Sequence, residues 1–314
     1  MSFAKQADSE LVSVSLKTLI DLARPAAGLD LKHAAIRSGQ SGAYVSRFKG
    51  RGMEFEEARI YQPGDDIRSI DWRVTARTGK THTKLFREER ERPVFISVDN
   101  RPAMHFATRG VFKSVLAAKL AGLLAWVAQH HGDRIGGQIF TGNNCRELKP
   151  QNGKHAVLRF LNAMVCQDDF NRQEITLEGV LARLMQHARP GSLVYIISDF
   201  RGINDQVETY LAKLSQHCQL VLIFVYDPLE SHLPEKGRYR FIASGGAYAT
   251  SLSGTGAATD DKRDVVIDTA DRQRLLKYQQ HFTQRLHQLE QIAKKRGLAF
   301  IQCSTTDDPI QRLR

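Results

Sequence analysis

The chain has 314 residues, 42% of them hydrophobic and 25% charged, with a formal net charge of +11. That composition excludes a disordered or fibrous chain and supports a sizeable core in one large domain or two modest ones. The positive balance favours acidic partners. The basic residues are spread along the chain with no recognised nucleic-acid motif, so they read as a solvated surface and nucleic-acid binding is not expected.

No run of residues is apolar and long enough to span a bilayer. The N-terminus MSFAKQADSELVSVSLKTLIDLARP lacks a basic stretch followed by an apolar core, which points away from a signal peptide and towards the cytoplasm. Cys145, Cys166, Cys218 and Cys303 lie far apart and form no Cys-x-x-Cys pair. Cys166, Cys218 and Cys303 fall in or near apolar runs, so buried free thiols are expected.

In chain order, residues 1–40 read as an N-terminal helical segment, with a helix over 11–24 ended by Pro25. Residues 41–92 read as a small β-rich module. It has alternating runs at Ala43–Val45 and His82–Phe86 and a turn at Gln62-Pro63-Gly64-Asp65. From residue 93 to the end, strands alternate with helices. Strands are expected at Val94–Val98, Ile135–Phe140, Leu193–Ile197 and Gln219–Tyr226. A hairpin or loop is expected at Asn143-Asn144. Helices are expected over 109–131, 154–165, 176–188 and 205–217. Residues 236–268 interrupt the rhythm: Tyr239–Ala243 and Ala247–Leu252 suggest a hairpin around Ser244-Gly245-Gly246, and Ser253–Asp261 a loop. A helix over 270–296 presents Leu275, Tyr278, Phe282, Leu286, Leu289 and Ala293 on one face. Gly297 caps it, and a last strand runs over Leu298–Cys303. Continuous apolar strands separated by helices imply a doubly wound, mostly parallel sheet covered on both faces.

In such a sheet, ligands sit outside the C-terminal strand ends, at the switch point. Two strands are closed by aspartates, Asp99 and Asp199, and Thr176 opens a helix that could approach them. Two carboxylates and a hydroxyl would suit magnesium. This order resembles a von Willebrand factor A domain, whose metal-ion-dependent adhesion site opens with Asp-x-Ser-x-Ser. Here that motif reads Asp99-Asn100-Arg101-Pro102-Ala103, so Arg101 and Ala103 replace both serines. The resemblance therefore implies a degenerate site with no resident metal and at most weak magnesium binding at Asp99 and Asp199. Either Arg101 takes the cation's place beside Asp99 or Asp199, or it points to solvent while the aspartates cap turns.

A second resemblance is more specific. Residues 50–77, GRGMEFEEARIYQPGDDIRSIDWRVTAR, resemble the signature of the bacterial domain of unknown function 58 family. That family pairs the signature with a von Willebrand A-like domain. It is typically encoded beside a MoxR-type AAA+ ATPase and other von Willebrand A-domain proteins, which the resemblance implies as partners. Within the signature, Asp65, Asp66 and Asp71 alternate with Arg59, Arg68 and Arg77 around Gly64 and Trp72. These residues could form an ion-pair lattice with Trp72 packed in a seam, or a binding surface.

The role the family implies is a non-enzymatic adaptor. A metal-dependent phosphoester hydrolase built from Asp65, Asp66, Asp71, Glu88 and Glu89 is the first alternative. Asp65 and Asp66, if adjacent in a strand, would face opposite ways, and no phosphate loop or nucleophile elbow is present. His130, His131 and His155 read as surface residues. A nucleic-acid binder is the second alternative.

Overall fold

The structure is a computed structural model that describes residues 10–29, 31, 53–88, 92–166, 175–233, 237–242, 264–268 and 272–314. By compactness the chain divides into a larger unit, residues 1–34 with 92–314, and a smaller unit, residues 35–91. The expected 1–40 segment is thus shared: its helical part belongs to the larger unit.

The larger unit opens with two short helices, α1 (Leu16–Asp21) and α2 (Ala23–Ala26). The single helix expected over 11–24 is broken because Ser15 starts a fresh one, its Oγ accepting from Thr18 N at 3.1 Å. Pro25 lies inside α2, in a first turn whose N–H groups have no partner within the helix.

The smaller unit pairs β1 (Met53–Ile60) antiparallel with β2 (His82–Glu88). Between them lie the turn at 62–65, closed by Asp65 N donating to Gln62 O, and a helix, α3 (Trp72–Thr78). The β-rich expectation missed α3. Its signals were local: Asp71 caps its start and Gly79, at φ 71°, ends it. Asp65 and Asp66 sit in turns rather than in a strand, so the opposite-faces argument does not apply to them. Ala43–Val45 and Glu89 lie outside the described residues.

The remainder builds one six-stranded sheet. Its members are β3 (Pro93–Asp99), β4 (Arg134–Phe140), β5 (Cys145–Gln151), β6 (Leu193–Ser198) and β7 (Gln219–Tyr226), with β10 (Ala299–Ser304) last in sequence. The order is β10-β7-β6-β3-β4-β5, parallel except for β5 at the edge. β5 is the strand half of what the sequence left as a hairpin or loop. Its alternation of half-buried and exposed residues fits a strand covered on one face only.

The continuous apolar strands split by parity. Leu193, Tyr195 and Ile197 face one layer, formed by α4 (Lys113–His130), α5 (Lys154–Val165) and the N-terminal α1. Val194 and Ile196 face the other layer, formed by α6 (Leu177–His187), α7 (Asp205–His217) and the long α9 (Arg272–Arg296). Helix α4 is buried on nearly all sides, because α1 and α2 cover its outer face and Trp126 Nε1 donates to Leu19 O at 3.0 Å. It begins at Lys113, four residues later than expected.

A short helix, α8 (Pro228–Ser231), follows β7, and α10 (Pro309–Leu313) follows β10. β8 (Arg238–Ile242) pairs antiparallel with β9 (Asp264–Asp268). The hairpin partner expected at Ala247–Leu252 and the loop at Ser253–Asp261 lie outside the described residues. Among the cysteines, Cys218 and Cys303 are buried, Cys145 is half-buried and Cys166 is exposed, all as free thiols. The exposure of Cys166 corrects the expectation of burial: it sits just past the end of α5, beyond the apolar face that the helix turns inward. Among the described residues no helix is long and apolar enough to cross a membrane.

Candidate functional site

β3 connects rightward to β4 in the sheet order, and β6 leads leftward to β7, so the switch point lies between β3 and β6. Their C-terminal ends carry Asp99, Ser198 and Asp199, all fully buried. β7 ends beside them on Asp227, also buried.

Asp99 is saturated with donors. Its oxygens accept from Arg101 N at 2.9 Å, Arg101 Nε at 3.0 Å, Arg101 Nη2 at 2.7 Å and Ser198 Oγ at 2.6 Å. The guanidinium of Arg101 spans outward from this pair. Its Nη2 stands 3.7 Å from Asp199 Oδ1, its Nη1 donates to Arg201 O at 3.2 Å, and it lies over the Phe140 ring at 5.5 Å. Its side chain is 14% exposed, which rules out the reading in which it points freely to solvent.

Asp199 is held from the other side. Lys113 Nζ, fully buried at the start of α4, lies 2.9 Å from Asp199 Oδ2 and 2.8 Å from Glu230 Oε1 in α8. Arg201 donates its backbone N to Asp199 Oδ1 at 3.1 Å, brings Nε to 3.3 Å of Oδ2, and bonds Glu230 through Nη2. Phe200, at φ 50°, makes the tight bend that lets residues 199 and 201 face the same place. Burial would raise the Asp199 carboxyl. The charges of Lys113, Arg201, Arg285 and Arg101 overcome burial and hold it far below the ordinary carboxylate value. For Glu230, burial is likewise outweighed by Lys113 and Arg201, and its pKa is lowered.

Asp227 works with neutral partners. It accepts from Thr108 N and Oγ1 at 2.8 and 2.6 Å, from Thr305 Oγ1 at 2.9 Å and from Leu229 N at 2.9 Å. These contacts tie the loop after β3, the end of β10 and the start of α8 together. Gly110 permits that loop to close: its φ is 75°, and an added Cβ would stand 2.0 Å from Thr305 O.

The other expected residues fall at the same sheet end or elsewhere. Ala103 lies in a short helical turn, Pro102–Met104, and offers no polar side-chain group. Thr176 is exposed and uses its hydroxyl to cap α6, accepting from Gly179 N at 3.2 Å. Among the described residues it makes no hydrogen bond to either aspartate.

The donor set does not fit magnesium. Arg101 occupies the approach between Asp99 and Asp199, positions 101 and 103 supply no hydroxyl, and hydrogen bonds already engage the carboxylate oxygens. Among the described residues no group of three or more His, Cys, Asp or Glu side chains is placed to hold a metal ion.

In the smaller unit, Arg59 pairs with Asp65 at 2.7 Å. Asp65 also accepts from Gln62 N, Asp66 from Arg68 N, and Asp71 from Arg73 N and Val74 N. Gly64 takes φ 107° in the turn. Arg68 and Arg77 are exposed and enter no ion pair among the described residues. Trp72 is 68% exposed. Among the described residues the aspartates form two ion pairs, Arg59 with Asp65 and Lys84 with Asp71 at 3.8 Å, and also serve backbone N–H groups.

Sequence reasoning missed Lys113, Arg201, Asp227, Glu230 and Arg285. Asp227 had a signal: it follows the apolar strand Gln219–Tyr226 as Asp99 and Asp199 close the apolar strands before them. Lys113 also had one, a lone charge at the head of an apolar helix.

The fold and site define an α/β protein whose strand-tip crevice is packed with ion pairs between its own side chains. The chain belongs to the family described as "Protein of unknown function DUF58", whose model matches residues 57–274. Uncharacterised proteins of Mycobacterium bovis and Mycobacterium tuberculosis are 30% identical to it over 199 residues. The match spans 62% of this chain and 62% of the length of those relatives. Among solved structures, the chain is similar to an aerotolerance-related membrane protein from Bacteroides fragilis, with 15% identity and a TM-score of 0.43. That likeness covers 71% of this chain and 94% of the other. It is also similar to an uncharacterised membrane-spanning protein from Vibrio fischeri, with 13% identity and a TM-score of 0.24, covering 70% and 94%.

Proposed function

We propose that this chain is a non-enzymatic interaction protein. It would work in the cytoplasm as an adaptor for a MoxR-type AAA+ ATPase and von Willebrand A-domain proteins during assembly or maturation of other complexes. The observation that carries this reading is the guanidinium of Arg101, bonded to Asp99 and 3.7 Å from Asp199 at the switch point. A crevice that holds ligands in doubly wound sheets is filled there by a tethered cation. The neighbouring carboxylates make poor general bases: Asp199 and Glu230 are held below their ordinary values by the cations around them.

The test has two arms. Calorimetric titration with magnesium chloride and an assay for phosphoester turnover are expected to show neither binding nor hydrolysis. Micromolar magnesium binding lost in Asp99→Ala, or turnover by the purified chain, would defeat the reading. Capture of the ATPase encoded beside it is expected from the parent chain and weakened by Arg201→Ala, whose side chain is 45% exposed. Failure of the parent chain to capture that ATPase would remove the proposed partner. Affinity for nucleic acid falling steeply with salt would support the rival class.

A further inference from the structure

We infer that Arg201 and Arg285 together receive the carboxylate of an acidic side chain from a partner protein, an inference that rests on the adaptor reading. The cluster holds more cations than acids. Asp199 feels Lys113, Arg201, Arg285 and Arg101. Among the described residues the acids paired with these cations are Asp99, Asp199 and Glu230. Arg101 is matched by Asp99, Lys113 is shared by Asp199 and Glu230, and Arg201 bridges the same two.

Arg285 is the charge left over. It rises from α9 with its guanidinium over the rings of Phe224 and Phe282, 5.9 Å from each centroid. Its Nε is buried and has no hydrogen-bond partner, and no acceptor among the described residues bonds the rest of the group. Burial lowers its pKa first. Asp199 opposes this, and Arg201 lies close enough to push in the same direction as burial. A half-buried guanidinium with one buried N–H unbonded carries a positive charge that an incoming anion would balance.

The chemistry selects a carboxylate. The fork of an arginine matches a carboxylate in two parallel hydrogen bonds. Among the described residues the excess is one positive charge, which one carboxylate balances. A phosphate would bring nearly two negative charges beside the buried Asp199 and Glu230. Tyr278 borders the place. Its hydroxyl donates to Leu229 O at 3.4 Å, and burial, then Glu230, pushes its pKa up to about 12, so it stays neutral at physiological pH. Access runs past Arg201, which is 45% exposed.

The test uses the full chain and a fluorescein-labelled peptide carrying three consecutive glutamates, with the matched glutamine peptide as comparison. Fluorescence anisotropy is expected to show the glutamate peptide binding at least about tenfold more tightly than its glutamine counterpart, a difference of about 1.4 kcal/mol. Arg285→Gln and Arg201→Gln should each weaken it by about tenfold or more. Lys154→Gln, an exposed cation at the start of α5, should leave it unchanged. Arg285→Gln alone should also keep or raise the thermal midpoint of the free chain, because it removes a half-buried charge with no ion-pair partner among the described residues.

Equal affinity for the two peptides, or glutamate affinity untouched in both arginine variants, overturns the inference. So does displacement of the peptide by inorganic phosphate at lower concentration than by acetate, which would make this a phosphate site. These failures leave the adaptor reading standing if ATPase capture persists. Magnesium binding or turnover would sink that reading whatever the peptides do.

Discussion

The strand-tip cluster and the signature module are both rich in aspartate and arginine, yet they use them in opposite ways. At the strand tips, Asp99 and Asp199 are fully buried and meet cationic side chains: Arg101, Lys113 and Arg201. In the module, Asp66 and Asp71 are at or near the surface and accept from backbone N–H groups, leaving Arg68 and Arg77 to solvent. Burial makes the difference. A carboxylate removed from water needs its charge met by cations or, as at Asp227, by several hydrogen bonds, whereas one at the surface needs neither and is free to start a helix. The module's exposed Arg68, Arg77 and Trp72 therefore form a surface, and the strand-tip ions form a core.

The largest test of this contrast is Lys113→Met. It strands Asp199 and Glu230 without their shared buried cation and should cost roughly 3–5 kcal/mol in urea unfolding. A loss below about 1 kcal/mol would mean that Arg201 alone compensates both acids.

Acid comes next. Asp199 and Glu230 lie below their ordinary values of 3.8 and 4.5 in the folded chain. The unfolded chain therefore binds more protons in the acid range. The stability these groups contribute is complete above about pH 5 and is lost as pH falls towards their folded values. Thermal midpoints measured from neutral pH down to about pH 3 should fall steeply below pH 5, and less steeply in Lys113→Met.

Asp71→Ala removes the cap of α3 and should cost about 1 kcal/mol, read as lost protection of the Arg73 and Val74 amides in hydrogen exchange. The smallest effect belongs to Arg77→Ala, which should leave stability within about 0.5 kcal/mol of the parent. A larger loss would reveal an ion pair that the contrast denies.

Much of the sheet was legible because its strands are continuous apolar runs bounded by turns: β3, β4, β6 and β7 lie within a residue of where the sequence places them. β5 was not, since Cys145–Gln151 carries charges and a proline and only half of it is covered. The short helix α3 was masked by the turn residues around it. At the site, the aspartates that end β3 and β6 were visible as strand terminators. Their partners were not: Lys113, Arg201 and Glu230 come from three separate elements, and only the folded backbone brings them together. The pairing of β8 with Asp264–Asp268 was not legible, because a long polar stretch separates the two runs in sequence.

Residues on both sides of the module build the same core: Leu19, Ala26, Leu29 and Leu31 pack with α4 and α5. The module is thus an excursion from a domain already begun. During synthesis, α1 and α2 leave the ribosome long before the helices they cover, and their apolar faces must wait for α4 and α5 to emerge. The same topology makes the excursion separable. Joining residue 34 to residue 92 through a short flexible linker should yield a chain that still folds, with its strand-tip ions intact and the exposed tryptophan gone.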